Sequence, residues 1–479
     1  MADSRPNIML LMTDQQRGDA LGIEDHPVLQ TPHVDHIGAA GIHFRRAYAA
    51  CPVCIPARRT LMTGQKPATH GALMNCPNPL PPDVRTLAGE LRRAGYQTHV
   101  CGKMHLLPYW RRHGFDSMDW ADSPAPSGNP MANDYQRYLL QHGVTFPYAS
   151  GAHGANSNDW MVRPWHLDEQ MHFTNWTVNR ALDFLNRRDP ACPFFLKVSV
   201  IHPHQPNTPP PMYYQRYLDL DLPEPFVGDW ARVYEKPPRG LNPANTWRIC
   251  LEPAVMHQMR AAYYGSINHI SDQFARLLHV IPKNTIIIYL SDHGEMLGDH
   301  QWLRKRTPWE PSARIPLLMQ FPRQMGIDQP WRVDQLVELR DVMPTLLDAV
   351  GAEIPDTVEG RSLMPLLRGE SDEWRDYLHG ECCSIAATDT GMQYIVTRKW
   401  KYVWFPGLGA EQLFDLENDP REMVDLSGSK SHADELDHFR HQLTEKLRDR
   451  PEGFTDGKQL KQLDGATSPY IGEDYDVCV

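Results

Sequence analysis

Cys54-Ile55-Pro56-Ala57-Arg58-Arg59-Thr60-Leu61-Met62-Thr63-Gly64 is the stretch from which the rest of the chain is read. It sets a cysteine, a proline and an arginine at its first, third and fifth positions, ahead of a Leu-Met-Thr-Gly tail. Cys51 is an internal control, because Cys51-Pro52-Val53-Cys54-Ile55 has neither the proline nor the arginine in place. For either cysteine alone, burial before a proline turn and a helix start is the ordinary outcome. The pattern gains meaning only from what the chain carries at the ends of its strands.

Outward from Cys54, short apolar runs bounded by turn residues alternate with helical patterns, which predicts an α/β fold with a large, mostly parallel sheet flanked by helices. Strands are expected at 7–13, 98–101, 194–201 and 285–291, and helices at 85–95, 170–188, 253–280 and 335–350. After Gly360-Arg361-Ser362-Leu363-Met364-Pro365-Leu366-Leu367 the pattern changes to alternating strands at 393–397 and 399–404, then an amphipathic helix over 431–449. The expectation is a first domain over 1–375 and a smaller C-terminal α+β domain with a tail over 376–479, and a length of 479 residues suits two domains. Residues 120–165, rich in Pro, Gly, Asn and Ser, read as a long insertion over the sheet. The tail from 451 has no periodicity and is expected to wrap the body or touch another subunit, so a homo-oligomer is compatible.

Composition excludes several classes. The net charge of −11 and the lack of a basic run argue against nucleic acid as a partner. Nine cysteines, odd in number and without paired zinc-like spacing, argue against a disulfide framework and a structural zinc site. The apolar run at 7–13 is too short to span a membrane and has no small-residue cleavage site after it, so it reads as a buried strand. No membrane association and a cytoplasmic location are expected.

Ligands gather at the carboxyl ends of strands in open α/β sheets. Asp14 follows the first strand, and Asp292 and His293 follow the strand at 285–291. A single aspartate there is usually a helix cap; carboxylates converging from separate strands beside Cys54 repel one another unless a cation lies between them. Oxygen-rich donors suit calcium, with magnesium or manganese as alternatives. Gly102-Lys103-Met104-His105 follows the second strand, and alternation along an extended segment would put Lys103 and His105 on one side, facing one anion. His204, in Pro203-His204-Gln205-Pro206, follows the third strand, and Lys305 lies beyond Asp292-His293.

These elements, in this order, resemble the type I sulfatases of the alkaline-phosphatase-like superfamily, whose motif cysteine is oxidised to formylglycine. The resemblance spans most of 1–310, making 1–375 the catalytic domain, and Leu413-Phe414-Asp415-Leu416-Glu417-Asn418-Asp419-Pro420 is similar to the family's second domain. It implies Asp14, Gln15, residue 54, Asp292 and His293 as metal ligands. Gln15 departs from the paired acids of many members, although choline-sulfatase-like and phosphonate-monoesterase-like relatives share an Asp-Gln pair. It further implies a formylglycine hydrate, a gem-diol, at Cys54: one oxygen attacks sulfur to form a covalent sulfo-enzyme, and the other expels sulfate. Arg58 would hold the hydroxyl and screen the metal pocket, Lys103 and Lys305 would neutralise the transferring group, His204 or Lys305 would protonate the leaving alcohol, and His105 would take the second proton. The implied function is hydrolysis of a carbohydrate or small-alcohol sulfate monoester, with a formylglycine-generating enzyme as maturation partner. Alternatives are a phosphonate monoester or phosphodiester hydrolase with the same cofactor, and a non-catalytic anion-binding protein. Asn75, His202, His300, Arg304, Trp309 and Glu310 are weaker candidates for the pocket lining, and Trp165 or His172 for a wall that reads the alcohol.

Overall fold

The computed structural model describes residues 5–76, 78–122, 133–144, 158–244, 246–327, 331–370, 373–383 and 391–463. Much of the expected 120–165 insertion and the end of the tail lie outside these.

In chain order the strands are β1 (Asn7–Asp14), β2 (Ile42–Phe44), β3 (Ala47–Tyr48), β4 (Gln97–Gly102), β5 (Ser117–Trp120), β6 (Phe194–Pro203), β7 (Thr285–Ser291), β8 (Arg314–Ile315), β9 (Leu317–Gln320), β10 (Trp331–Val333), β11 (Val337–Glu338), β12 (Tyr377–Cys382), β13 (Met392–Thr397), β14 (Trp400–Phe405) and β15 (Ala410–Asp415). Eight form one sheet in the order β10-β2-β9-β7-β1-β6-β4-β5. The run from β7 to β5 is parallel, and β9 enters antiparallel to both β7 and β2.

Central strands covered on both faces carry continuous apolar runs, and β6 and β7 are buried along their whole length. Along β1, Ile8, Leu10 and Met12 join one core with helices Cys54–Thr63, Leu87–Arg93 and Val342–Ala349, whereas Met9 and Leu11 join the other with Phe173–Arg187 and Pro253–Val280. The two-residue period of a strand thus divides one apolar run between two helical layers. The helix expected over 335–350 is shorter than its pattern. Val337–Glu338 pairs with β3 as a strand, and Glu338 and Asp341 form a reciprocal capping box, so the α-helix begins only at Val342.

The C-terminal strands β12-β13-β14-β15 make an antiparallel meander. One face, with Ile395, Tyr402 and Leu413, packs on Leu436, Phe439 and Leu443 of helix Ala433–Lys446. The other, with Tyr394, Val403 and Phe414, packs on Tyr48, Val53 and Trp309 beneath the segment that carries Cys54. Backbone bonds fasten the contact, Glu381 N donating to Ala50 O at 2.7 Å and Cys383 N to Leu73 O at 3.1 Å.

Candidate active site

Four adjacent strands, β7, β1, β6 and β4, end on the same side of the sheet, and the residues just past them meet the N-terminus of helix Cys54–Thr63. Pro56 is that helix's third residue, where an N–H has no intrahelical partner to lose. Asn75 Oδ1 accepts from Ile55 N at 3.0 Å and serves as a cap supplied from outside. Gly102, at φ 90°, lets β4 end against β6, since a Cβ there would stand 2.1 Å from Ser199 O.

Asp14, Cys54, Asp292 and His293 are buried, and each offers a ligand atom within 4.8 Å of the others. Their outward atoms are taken. Arg58 Nη2 donates to Asp14 Oδ2 at 2.9 Å and Arg58 Nε to Asp292 Oδ2 at 2.8 Å, while Lys103 Nζ lies 2.7 Å from Asp14 Oδ2. Their inward atoms converge. Cys54 Sγ is 3.2 Å from His293 Nε2, and that nitrogen is 3.8 Å from Asp14 Oδ1 and 3.6 Å from Asp292 Oδ1. His293 Nδ1 donates to Gly294 O at 3.0 Å, which aims Nε2 into the cup, as ligating histidines are commonly held. Burial lowers the pKa of His293, but Asp292 and Cys54 outweigh it and the net shift is upward. A point that draws a proton in this way also draws a cation, so the donor set fits a hard divalent ion. Burial likewise raises the Cys54 thiol, yet Lys103, Lys305 and His293 bring it well below its ordinary value.

Lys305 spends its three N–H bonds on Cys54 Sγ at 3.0 Å, Gln15 Oε1 at 2.9 Å and His204 Nε2 at 2.9 Å. His204 Nδ1 donates to Gln205 O at 2.6 Å, so its Nε2 accepts from the ammonium; burial first, then Lys305, lowers its pKa. Lys103 Nζ lies 4.0 Å from Cys54 Sγ, and His105 is near enough to help lower the pKa of the same thiol. The catalytic and metal candidates Asp14, Gln15, Cys54, Arg58, Lys103, His105, His204, Asp292, His293 and Lys305 are therefore gathered in one place.

Two details correct the sequence reading. Alternation does not align Lys103 with His105: His105 turns left-handed at φ 52°, its N–H held by Asp122. Arg58 is bound to both aspartates, Ser199 Oγ and Lys103 O, and so clamps the acids. Trp165 and His172 do not form the expected wall. Trp165 is buried with Nε1 on Asp168 O, and His172 caps helix Phe173–Arg187, stacks on His202 and binds Thr208 O. His202 joins Thr208 Oγ1, His300 bridges Gly228 N and Arg421 O, Trp309 Nε1 meets Gln412, Arg304 binds Asn158 O and Glu310 pairs with Lys401.

Sequence reasoning missed the side chains behind the site. Glu295, fully buried, accepts at Oε1 from the backbone of Leu297 and Arg304 and at Oε2 from the amides of Gln205 and Gln15. Because the nitrogen of Gln15 is bound there and to Gln205 Oε1, its carbonyl oxygen faces Lys305 and the site. Lys197, beneath them, donates to Lys103 O at 3.3 Å, and burial together with Arg58 lowers its pKa to about 7. Glu295 stands only two residues beyond His293, but its partners Gln15 and Gln205 are far from it in the sequence, and nothing in the spacing announces them.

Comparison with known proteins agrees with this geometry. The Sulfatase family profile matches residues 6–352, and that of the N-sulphoglucosamine sulphohydrolase C-terminal region matches 298–450. An arylsulfatase of Clostridium perfringens is 39% identical over 95% of this chain and 97% of its own. The multifunctional alkaline phosphatase superfamily protein PehA of Trinickia caryophylli is 30% identical over 90% and 93%. The crystal structure of a phosphonate monoester hydrolase of Agrobacterium radiobacter superposes with a TM-score of 0.78 at 25% identity, covering 93% of this chain and 95% of that one. With a profile spanning most of its length and a relative alike from end to end, this chain belongs to the sulfatase family of sulfuric ester hydrolases.

Proposed function

We propose that the enzyme hydrolyses a sulfate monoester of a carbohydrate or small alcohol, with residue 54 as nucleophile after oxidation of Cys54 to formylglycine. The observation that carries this is the meeting of Cys54 Sγ with Asp14, Asp292, His293 and Lys305 at one buried point. Formylglycine supplies a hydrated aldehyde, whose two hydroxyls serve for attack and for later release of sulfate. A divalent cation, calcium by its donors, supplies positive charge beside the nucleophile and the transferring group.

The chain's own residues do the rest. Arg58 fixes Asp14 and Asp292 by their Oδ2 atoms, while the backbone N–H groups of Gln15 and His293 hold Asp292 Oδ1 at 3.1 and 3.0 Å, so both carboxylates are oriented toward position 54. Lys103 and Lys305 flank position 54 from two sides and meet the negative charge of the sulfuryl oxygens as it shifts in the transition state. The proton for the leaving oxygen comes from the Lys305–His204 pair, which shares one between Nζ and Nε2. His105, near position 54, would be the group to accept a proton from a formylglycine hydrate there.

The test is mass spectrometry of the Cys54 peptide from the native host, followed by kinetics of Cys54→Ser. Conversion to formylglycine is expected, and the serine variant, which lacks a second hydroxyl, is expected to stall after one turnover. Sustained turnover by Cys54→Ser would sink the mechanism. The likeness to the phosphonate monoester hydrolase favours a second reading, in which the same machinery acts on phosphonate monoesters or phosphodiesters. A panel of aryl sulfate against aryl phosphonate separates the two.

A further inference from the structure

The loop from Asp292 to Thr307 delivers the metal-side ligands and Lys305, and then one more cation. Leu297, His300, Gln301, Arg304 and Arg306 all adopt left-handed backbone with φ between 51° and 71°. Such conformations cost side-chain-bearing residues energy and persist where surroundings impose them. Around Lys305 they have a visible result: Lys305 turns to Cys54, whereas Arg304 and Arg306 both turn to the indole of Trp247, at 4.7 and 5.1 Å from its ring centre.

Arg306 differs from the arginines of the interior that are paired with acids. Arg17, Arg58, Arg260 and Arg314 each hold a carboxylate. Among the described residues the Arg306 side chain has no hydrogen bond or ion pair, and its Nε is buried without a partner. Its backbone N–H holds Pro52 O at 3.1 Å, two residues before Cys54. The groups that act most strongly on its charge are the thiols of Cys382, Cys54, Cys383 and Cys51, and Arg304 lies close enough to repel it. A half-buried guanidinium with no counter-ion, stacked on an aromatic face beside the nucleophile, is an unfavourable arrangement that a bound anion relieves. The guanidinium fork matches a carboxylate or a sulfate in two-point geometry, and the indole offers an apolar face to the ring that carries it.

We propose that Arg306, stacked on Trp247, forms a subsite for a second anionic group on the alcohol half of the substrate, so that the enzyme prefers esters bearing a carboxylate or another sulfate. The inference rests on the sulfate-ester reading of the Cys54 site.

The experiment compares kcat/KM for three esters: 4-nitrophenyl sulfate, a carboxylated nitrophenyl sulfate and an aryl disulfate. These are measured for the mature enzyme, Arg306→Gln and Arg306→Lys, with the melting temperature of each variant recorded to establish that it is folded. The wild type is expected to favour at least one doubly charged ester about tenfold or more, chiefly through KM, and the larger preference names the anion. Arg306→Gln should lose at least about tenfold more on that ester than on 4-nitrophenyl sulfate, and Arg306→Lys should recover part of the difference. No preference in the wild type, or equal losses on singly and doubly charged esters, would overturn the subsite and leave Arg306 as a brace for the thiols around it. If no sulfate ester turns over at all, the reading of the Cys54 site fails on its own. The subsite is then judged by calorimetric titration with the matching aryl sulfonates, where the same tenfold preference and its loss in Arg306→Gln are required.

Discussion

Two buried charge clusters lie near the contact between the large sheet and the C-terminal meander, and they are built to opposite rules. In one, Lys401 is fully buried between Glu310 Oε1 at 2.8 Å and Glu422 Oε1 at 2.7 Å, and Glu422 Oε2 accepts the backbone N–H of Glu310 at 2.7 Å. Its groups answer one another within the chain. In the other, Arg58 and Lys103 take the outer oxygens of the aspartates, while Asp14 Oδ1, Asp292 Oδ1, His293 Nε2 and Cys54 Sγ crowd together. A closed cluster acts as a joint; an open one awaits a guest. Burial alone does not separate them, because Lys401 and Glu422 are as buried as Asp14 and Asp292. The direction in which lone pairs point does.

The sharpest way to break this comparison is to remove the guest. Chelation of the mature enzyme should abolish turnover, recoverable with calcium, while moving the melting temperature by only a few degrees, because the ion sits at the mouth of the sheet and not in its core. Full activity after exhaustive chelation would make the open cluster another joint. Next in size is Lys401→Met, which strands two buried carboxylates and should destabilise the fold by about 3–5 kcal/mol in denaturant titration, with KM nearly unchanged.

The joint also carries a pH signature. Burial first, then Glu310, raises Glu422 from 4.5 to about 7, although Lys401 pulls the other way. A carboxyl raised in the folded state holds a proton that the unfolded chain has released, so stability falls as pH rises from about 4.5 to 7 and is flat beyond. Glu422→Gln should remove that slope, worth roughly 3 kcal/mol across the window; an unchanged slope would place the titration elsewhere. The smallest effect is expected behind the open cluster. Glu295→Gln frees the Gln15 amide to flip and should weaken calcium affinity by about 10–100-fold, read by calorimetry without any substrate.

How far each cluster was legible follows from where its residues lie in the chain. Asp14 closes a buried strand and Lys103, His204 and Asp292 each stand one residue beyond one, so recognising the strand located the residue. Glu422, Lys401 and Glu310 come from three separate segments with no common motif, and nothing in their spacing announces the joint. Arg306 was passed over beside a candidate, although Arg304-Lys305-Arg306 sets three cations in a row that a single loop cannot pair. Trp165 and His172 show the reverse failure: an aromatic in a polar stretch looks like a pocket wall until its polar atoms are seen to be occupied by Asp168 O and Thr208 O. The helix expected from 335 came late because the capping-box signal at Glu338 and Asp341 was weaker on the page than the apolar periodicity around it.

Cys54 is 1% exposed, at the head of a helix with every residue buried, and the segments on either side are tied by Glu381 and Cys383. Under the proposed maturation this burial becomes a matter of timing. A modifying enzyme has to reach the Cys54 side chain, and the finished fold leaves almost none of it exposed. The ribosome releases residue 54 long before β12 exists to close over it, so the interval between those two moments is the time available to make the nucleophile. Slowing synthesis of the last hundred residues should raise the fraction of chains that become active, and a molecule that folds first is left with a thiol for good.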